Sequence, residues 1–247
     1  MQLKKLIRIV VASLLVVCFA VALFGCKPKT PRFIDENGVL PNQYENLRYY
    51  FQQGYRPDWT ITRMDADKRI LDRDTGLILV MAPLVSTIDA DGNVTVEEEV
   101  ITDADGNQTK VQKLVDGVEY CVYFHNGDGI TMTTSRNDVV KWLQDPESKF
   151  YFNNKHYNGS PRETFLEKGD PEIFTARYSK LQFSTVAYTF TKDGENWRGV
   201  YNIVMQGVEY FIVTFEAKAE LYDKYYDAYY ETIGDFRKKG WETSDVG

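Results

Sequence analysis

The sequence predicts an α+β domain, an antiparallel sheet flanked by helices and carrying a β-hairpin insertion. Three observations point there. Residues 86 to 124 alternate short β-branched runs with Asp-Gly turns, residues 172 to 216 form longer strand-like runs broken by Lys192-Asp193-Gly194 and Gln206-Gly207, and residues 219 to 237 place aromatics at helical spacing. With 43% hydrophobic and 26% charged residues the chain has the apolar content for a packed core, and its 247 residues suit one mature domain.

Taken in order, Asn42 followed by Glu45 has capping-box spacing, and Tyr44, Leu47, Tyr50 and Phe51 make an apolar face ending at Gly54, so a helix is expected there. Trp59 to Thr62 and Gly76 to Leu84 read as strands, joined through a solvated turn from Asp65 to Asp74. Two copies of Asp-Ala-Asp-Gly-Asn, at 89 to 93 and 103 to 107, then mark hairpin turns, and Val118 to Phe124 reads as a strand. Ser135 or Asn137 caps a short helix carrying Val139, Val140, Trp142 and Leu143. Ser160-Pro161-Arg162-Glu163 has the form of a second capping box, with Gly169-Asp170-Pro171 as its stop, and predicts another short helix. Strands follow at Phe174 to Tyr178, Phe183 to Thr191, Val200 to Met205 and Val208 to Phe215. The final helix carries Tyr222, Tyr226, Tyr229, Ile233 and Phe236 as a stripe, widened by Leu221 and Tyr225, that suits packing on a sheet better than stacking on sugars.

The N-terminus indicates where the protein works. Lys4, Lys5 and Arg8 precede an uncharged run from Ile9 to Gly25, the order of a secretory signal, although its length also admits an uncleaved membrane anchor. Leu23, Phe24, Gly25 and Cys26 resemble the lipobox of bacterial lipoprotein signals, in which the Cys is lipidated and becomes the new N-terminus; Phe24 departs from the small or β-branched residue usual there. The expected organisation is a signal peptide over 1–25, a lipidated Cys and Pro-containing tether over 26–39, and a single α+β domain over 40–247. Either reading exports the domain. The expected location is the extracytoplasmic face of the cell membrane, with the lipid as the contact to the bilayer.

The chain has 29 basic and 36 acidic residues, a net charge of -7 and a pI near 5.0, which repels phosphate backbones and excludes nucleic acid as a partner. Beyond the signal and the anchoring Cys26, Cys121 is the one remaining thiol, so the domain has no internal disulfide. The paired acidic turns raise the question of calcium, with Asp89, Asp91, Asp103 and Asp105 as candidate ligands. An EF-hand loop begun at Asp89 needs Gly at 94 and Glu at 100, where Val94 and Val100 stand, and one begun at Asp103 meets Leu114 at its last position. Weak binding or none is expected. Further on, His125-Asn126-Gly127-Asp128-Gly129 sets a Gly-rich turn at a strand end, offering His125 and Asp128 as a candidate binding surface. No cofactor motif accompanies it, and none is expected. With His125 and His156 the only histidines, a three-His metal centre is impossible, and H-E-x-x-H, G-x-S-x-G and S-x-x-K are absent.

The Tyr49-Tyr50-Phe51 opening with Pro57 and Trp59, the Tyr210 to Phe215 strand and the Tyr222, Tyr225, Tyr226, Ile233, Phe236 helix resemble the PsbP/Mog1-type α/β/α sandwich. The resemblance covers Tyr49 to Phe236, with Ser86 to Gln112 and Lys149 to Gly169 departing from the compact form. It implies a noncatalytic binding or assembly module, here of the bacterial cell envelope, with an envelope protein or a glycan as partner. The alternative is a carboxylate-dependent glycan hydrolase, since a pair of facing acids leaves no sequence signature. If Cys26 carries the anchor, Cys26→Ala yields a soluble product without the lipid mass; an unchanged mass and membrane retention of the variant would reject lipidation.

Overall fold

A computed structural model describes residues 33–64, 76–153, 162–176 and 179–238. The signal, Leu23, Phe24, Gly25, Cys26, the start of the tether, the turn from Asp65 to Asp74 and the Ser160-Pro161 pair lie outside these residues. Fourteen strands, β1 Asn42–Asn46, β2 Phe51–Tyr55, β3 Trp59–Met64, β4 Gly76–Pro83, β5 Ser86–Ile88, β6 Val94–Val96, β7 Glu98–Thr102, β8 Gln108–Gln112, β9 Val118–His125, β10 Glu163–Thr175, β11 Gln182–Lys192, β12 Glu195–Gln206, β13 Glu209–Lys218 and β14 Phe236–Lys238, accompany two helices among the described residues, α1 Arg136–Gln144 and α2 Ala219–Gly234. A seven-stranded antiparallel sheet runs β10-β11-β12-β13-β9-β4-β3, and a three-stranded sheet runs β1-β2-β14.

The central strands are buried on both faces, which explains their near-continuous apolar reading. On β13, Phe211, Val213, Phe215 and Ala217 join one core with Tyr222, Ala228, Tyr229 and Ile233 of α2, whereas Tyr210 and Ile212 join the other with Val139, Val140 and Leu143 of α1. The layering is therefore helix, sheet, helix, as expected, but more sheet-rich: beside α2 the same face is covered by the small sheet, through Tyr49, Phe51 and Phe236.

That small sheet corrects the first predicted helix. Asn42 makes no cap; its side-chain amide donates to the Arg56 carbonyl at 3.4 Å, and β1 and β2 form a hairpin whose turn exposes Leu47 and Tyr50. Tyr50 has φ 54°, and the side-chain oxygen of Asn46 accepts the Tyr49 N–H at 3.1 Å, so turn chemistry displaced the helical period. The hairpin is locked by buried polar groups: Tyr120 Oη donates to Gln53 Oε1 at 2.6 Å, Gln53 Nε2 donates to the Thr232 carbonyl at 2.7 Å, and the Asp235 carboxylate accepts from the Leu40 N–H at 2.8 Å and Gln43 Nε2 at 2.9 Å. Asp235 also ends α2, so Phe236 belongs to β14 instead of the helix.

The predicted helix after Ser160 is the second correction. Residues 163–175 form the edge strand β10, and Gly169-Asp170-Pro171 falls in a register shift between Lys168 and Glu172. An edge tolerates Pro171, which cannot donate to a ladder. Of the expected strand from Phe174 to Tyr178, Phe174 and Thr175 end β10 and the last two residues lie outside the described ones; the other expected strands and the α1 helix are present, with Ser135 as N-cap in a capping box completed by Asp138. The hairpin insertion is two hairpins, β5-β6 and β7-β8, neither joined to the main sheet.

Two variants test this packing. A Cβ at Gly199 would lie 2.4 Å from Tyr188 Cζ, so Gly199→Ala should lower the unfolding free energy by at least about 2 kcal/mol in urea titration. Burial depresses Lys238, whose Nζ donates to the Met205 carbonyl, to about 8 from 10.5. The unfolded chain binds that proton more tightly, so the group lowers stability below pH 8 and this penalty fades as pH rises toward 10.5. Lys238→Met should thus raise Tm at pH 7, and its advantage over wild type should shrink by pH 10.

Candidate functional site

The residues singled out in the sequence scatter across the molecule. His125 ends β9 buried, its ring stacked on Tyr210 at 4.6 Å and 7° and edge-on to Phe150 at 5.0 Å, with Nδ1 accepting the Gly127 N–H at 3.1 Å. Asp128 stands in solvent, 3.8 Å from Lys149. The loop thus directs one member inward and the other outward. In the repeated turns, Asp89 Oδ1 accepts the N–H groups of Asp91 and Asn93 at 3.0 and 2.8 Å, and Asp103 does the same for Asp105 and Asn107. Hydrogen bonds from the Asn93 and Asn107 side chains and backbones hold both carboxyls below their usual range. Asp89 and Asp103 therefore brace their own turns, and among the described residues no group of three or more His, Cys, Asp or Glu side chains is arranged to hold a metal. Cys121 is buried in β9, where desolvation pushes its thiol far above the usual range.

On the α1 side of the sheet the register places Tyr188, Gly199 and Glu216 in one row across β11, β12 and β13. Because Gly199 has no side chain, the Tyr188 phenol passes over it and donates to Glu216, which also pairs with Arg162. The guanidinium lies 4.9, 5.7 and 5.4 Å from the ring centres of Phe152, Tyr188 and Phe190, and the Asn153 side chain fixes the Arg162 backbone through bonds of 2.6 and 2.9 Å. Nearby, Tyr201 Oη donates to Glu167 at 2.6 Å, and burial raises the Glu167 carboxyl above its ordinary value against that bond. Glu167, Glu216 and, opposite Glu216 in the register, Glu119 share this face, but Glu216 is buried and held by two donors.

The opposite face offers an accessible arrangement. Helix α2 packs on β12, β13 and β9 and reaches β10 through Tyr230 on Phe174, but part of the β10–β11 margin stays exposed. Paired residues there, Leu166 with Thr189 and Lys168 with Ala187, are exposed or half-exposed. Above this floor the tyrosine stripe of α2 divides: Tyr222 and Tyr229 are buried against Phe215, while Tyr226 and Tyr230 keep 37% and 48% of their surface in solvent. Tyr230 rests on Phe174 at 5.2 Å and Tyr226 on Tyr222 at 5.4 Å. Burial, then the neighbouring Tyr230 and Glu172, raise the Tyr226 phenol, with Arg198 opposing. Arg198 pairs with Asp223 at 2.9 Å and caps the Tyr222 ring at 4.1 Å. The result is an aromatic shelf beside a floor of Leu166, Lys168, Ala187 and Thr189, with charges of both signs at its rim. Sequence reading assigned the stripe to the core; the signal that separates the two parts is the four-residue step from Tyr222 to Tyr226 and Tyr230, which drifts off the seven-residue step from Tyr222 to Tyr229.

No protein family matches the sequence, and no curated protein matches it. Among solved structures the chain is similar to a protein from Bacteroides thetaiotaomicron VPI-5482 (TM-score 0.42, 9% identity, 80% of this chain and 48% of that one), so it spans about half the length of that relative. It is also similar to LpqN, involved in cell envelope biogenesis of Mycobacterium tuberculosis (0.41, 10%, 76% and 83%), and to the cyanobacterial PsbP, CyanoP, from Synechocystis (0.43, 8%, 80% and 91%). Likenesses this distant assign neither a family nor an activity.

The division of the stripe is testable by stability alone. Tyr229→Ala should cost about 3–5 kcal/mol, whereas Tyr226→Ala and Tyr230→Ala should each cost less than about 1.5 kcal/mol in the same denaturation experiment.

Proposed function

We propose that this chain is a noncatalytic binding module of the bacterial cell envelope, with a PsbP/Mog1-like domain held by lipid on Cys26 at the outer face of the membrane, and that it takes an envelope protein or a glycan on the α2 shelf. The observation that carries the reading is the pair Tyr226 and Tyr230, amphipathic rings kept half-exposed beside a partly exposed sheet margin. The surroundings support it. Cys121 is enclosed by burial, His125 by its stacked rings and Glu216 by Arg162 and Tyr188. No helix among the described residues is long and apolar enough to cross a membrane.

The test uses the full chain in native membranes with a photo-cross-linker at the exposed Asp227 beside Tyr226, a position kept in the variants, alongside binding and turnover assays on cell-wall polysaccharides. Capture of one envelope protein, or polysaccharide binding, that is lost in a Tyr226→Ala, Tyr230→Ala double variant supports the module. Turnover of a glycan that disappears in Glu167→Gln or Glu216→Gln would establish the hydrolase instead.

A further inference from the structure

Between β4 and β9 the chain leaves the main sheet and returns at Leu84 and Leu114, which bridge each other. There the backbone closes a ring of three hydrogen bonds: the Val85 N–H donates to the Lys113 carbonyl at 2.8 Å, the Lys113 N–H to the Glu97 carbonyl at 2.9 Å, and the Glu97 N–H to the Val85 carbonyl at 2.8 Å. From this junction β5-β6 and β7-β8 branch as separate two-stranded ribbons, each ending in the same braced Asp-Ala-Asp-Gly-Asn turn. The second ribbon is uncovered on both faces. Val100 and Ile101 are neighbours on β7 and so point to opposite faces, yet they are 55% and 51% exposed. Two-stranded ribbons are marginal in water, and an unpaired edge flanked by β-branched side chains is a template for another strand.

Charge decides what that strand carries. Residues 86–112 hold seven carboxylates, among them Glu97, Glu98 and Glu99 in succession; Lys110 lies 3.3 Å from Glu98 and Lys113 of the stem 3.5 Å from Glu97, exposed pairs that leave the arm strongly negative. A second copy of the ribbon meets like charge along its whole length, and an anionic lipid surface is repelled in the same way. We propose that Ser86–Gln112 is a docking arm for a basic, extended segment of another protein, which adds as a third strand to the free edge of β7 with its Lys or Arg side chains beside Glu97, Glu98 and Glu99. This surface is separate from the α2 shelf and stands or falls independently of it.

The probe is a fluorescent peptide of alternating Lys and Val, titrated into the full-length protein by anisotropy, beside the same peptide N-methylated at alternate amides so that its charge remains but ladder bonding is blocked. The expected result is saturable binding that weakens at least about tenfold on N-methylation, on Glu98→Lys with Glu99→Lys, and on raising salt from roughly 0.05 to 0.3 M. Both substitutions lie on an exposed ribbon, and an unchanged Tm confirms folding; should that variant unfold, Val100→Pro, which removes one N–H from β7, replaces it. Equal binding of the two peptides would reduce the interaction to bulk charge and overturn the proposal, as would no binding, binding unchanged in the variants, self-association through the arm, or capture by anionic lipid vesicles.

Discussion

A carboxylate inside a protein has to be neutralised, and Glu216 sits in the middle of the main sheet with little water to do it. Much of the α1 side follows from this one requirement. Arg162 provides the charge and Tyr188 a proton donor, and Tyr188 reaches its partner because Gly199 leaves an empty place in the row between them. Arg162 stands one residue before β10, so its anchorage in the sheet, together with the Asn153 clamp, fixes where the edge strand begins. The rings of Phe152 and Phe190 then surround the guanidinium, tying the segment after α1 to β11. Such an arrangement contributes less net stability than an apolar core of equal volume, but removing either charge alone strands the other. It defines placement more than strength.

The other face is organised by a second set of buried polar groups. Gln53 accepts from Tyr120 on the main sheet and donates to the end of α2, while Asp235 collects the Leu40 N–H and the Gln43 amide. Three segments far apart in sequence meet through two side chains. Gly54 permits the approach, since a Cβ there would fall 1.9 Å from Asp235 Oδ2.

These long-range contacts mark the limit of what the sequence made legible. Wherever local pattern and tertiary demand agreed, as for β4, β9, β11 to β13, α1 and the two Asp-Gly hairpins, the elements could be read directly. The two segments expected as helices and found as strands were both capping-box spacings. Asn42 and Ser160 carry the right partners three residues on, but the first segment is held in a hairpin whose Gln43 donates to Asp235, and the second is drawn onto a sheet edge by the pairing of Arg162 with Glu216, carboxylates far along the chain. The candidate site was half legible for a related reason. The tyrosines of the last helix stood out at once, and the drift of the four-residue step sets Tyr226 and Tyr230 apart from Tyr229, but the exposed sheet margin beside them depends on how far the helix extends over the sheet, which no local pattern reports.

The ring of hydrogen bonds at Val85, Glu97 and Lys113 has a consequence for how this domain can vary. Since the stem closes on itself at Leu84 and Leu114, the main ladder neither gains nor loses a bond from what lies beyond. The length and sequence of each ribbon are thereby uncoupled from the cooperative unit beneath. In the terms of protein engineering this is a graft point: a segment whose ends meet the same three peptides can be exchanged there while the sheet, its two buried faces and the helices keep their register.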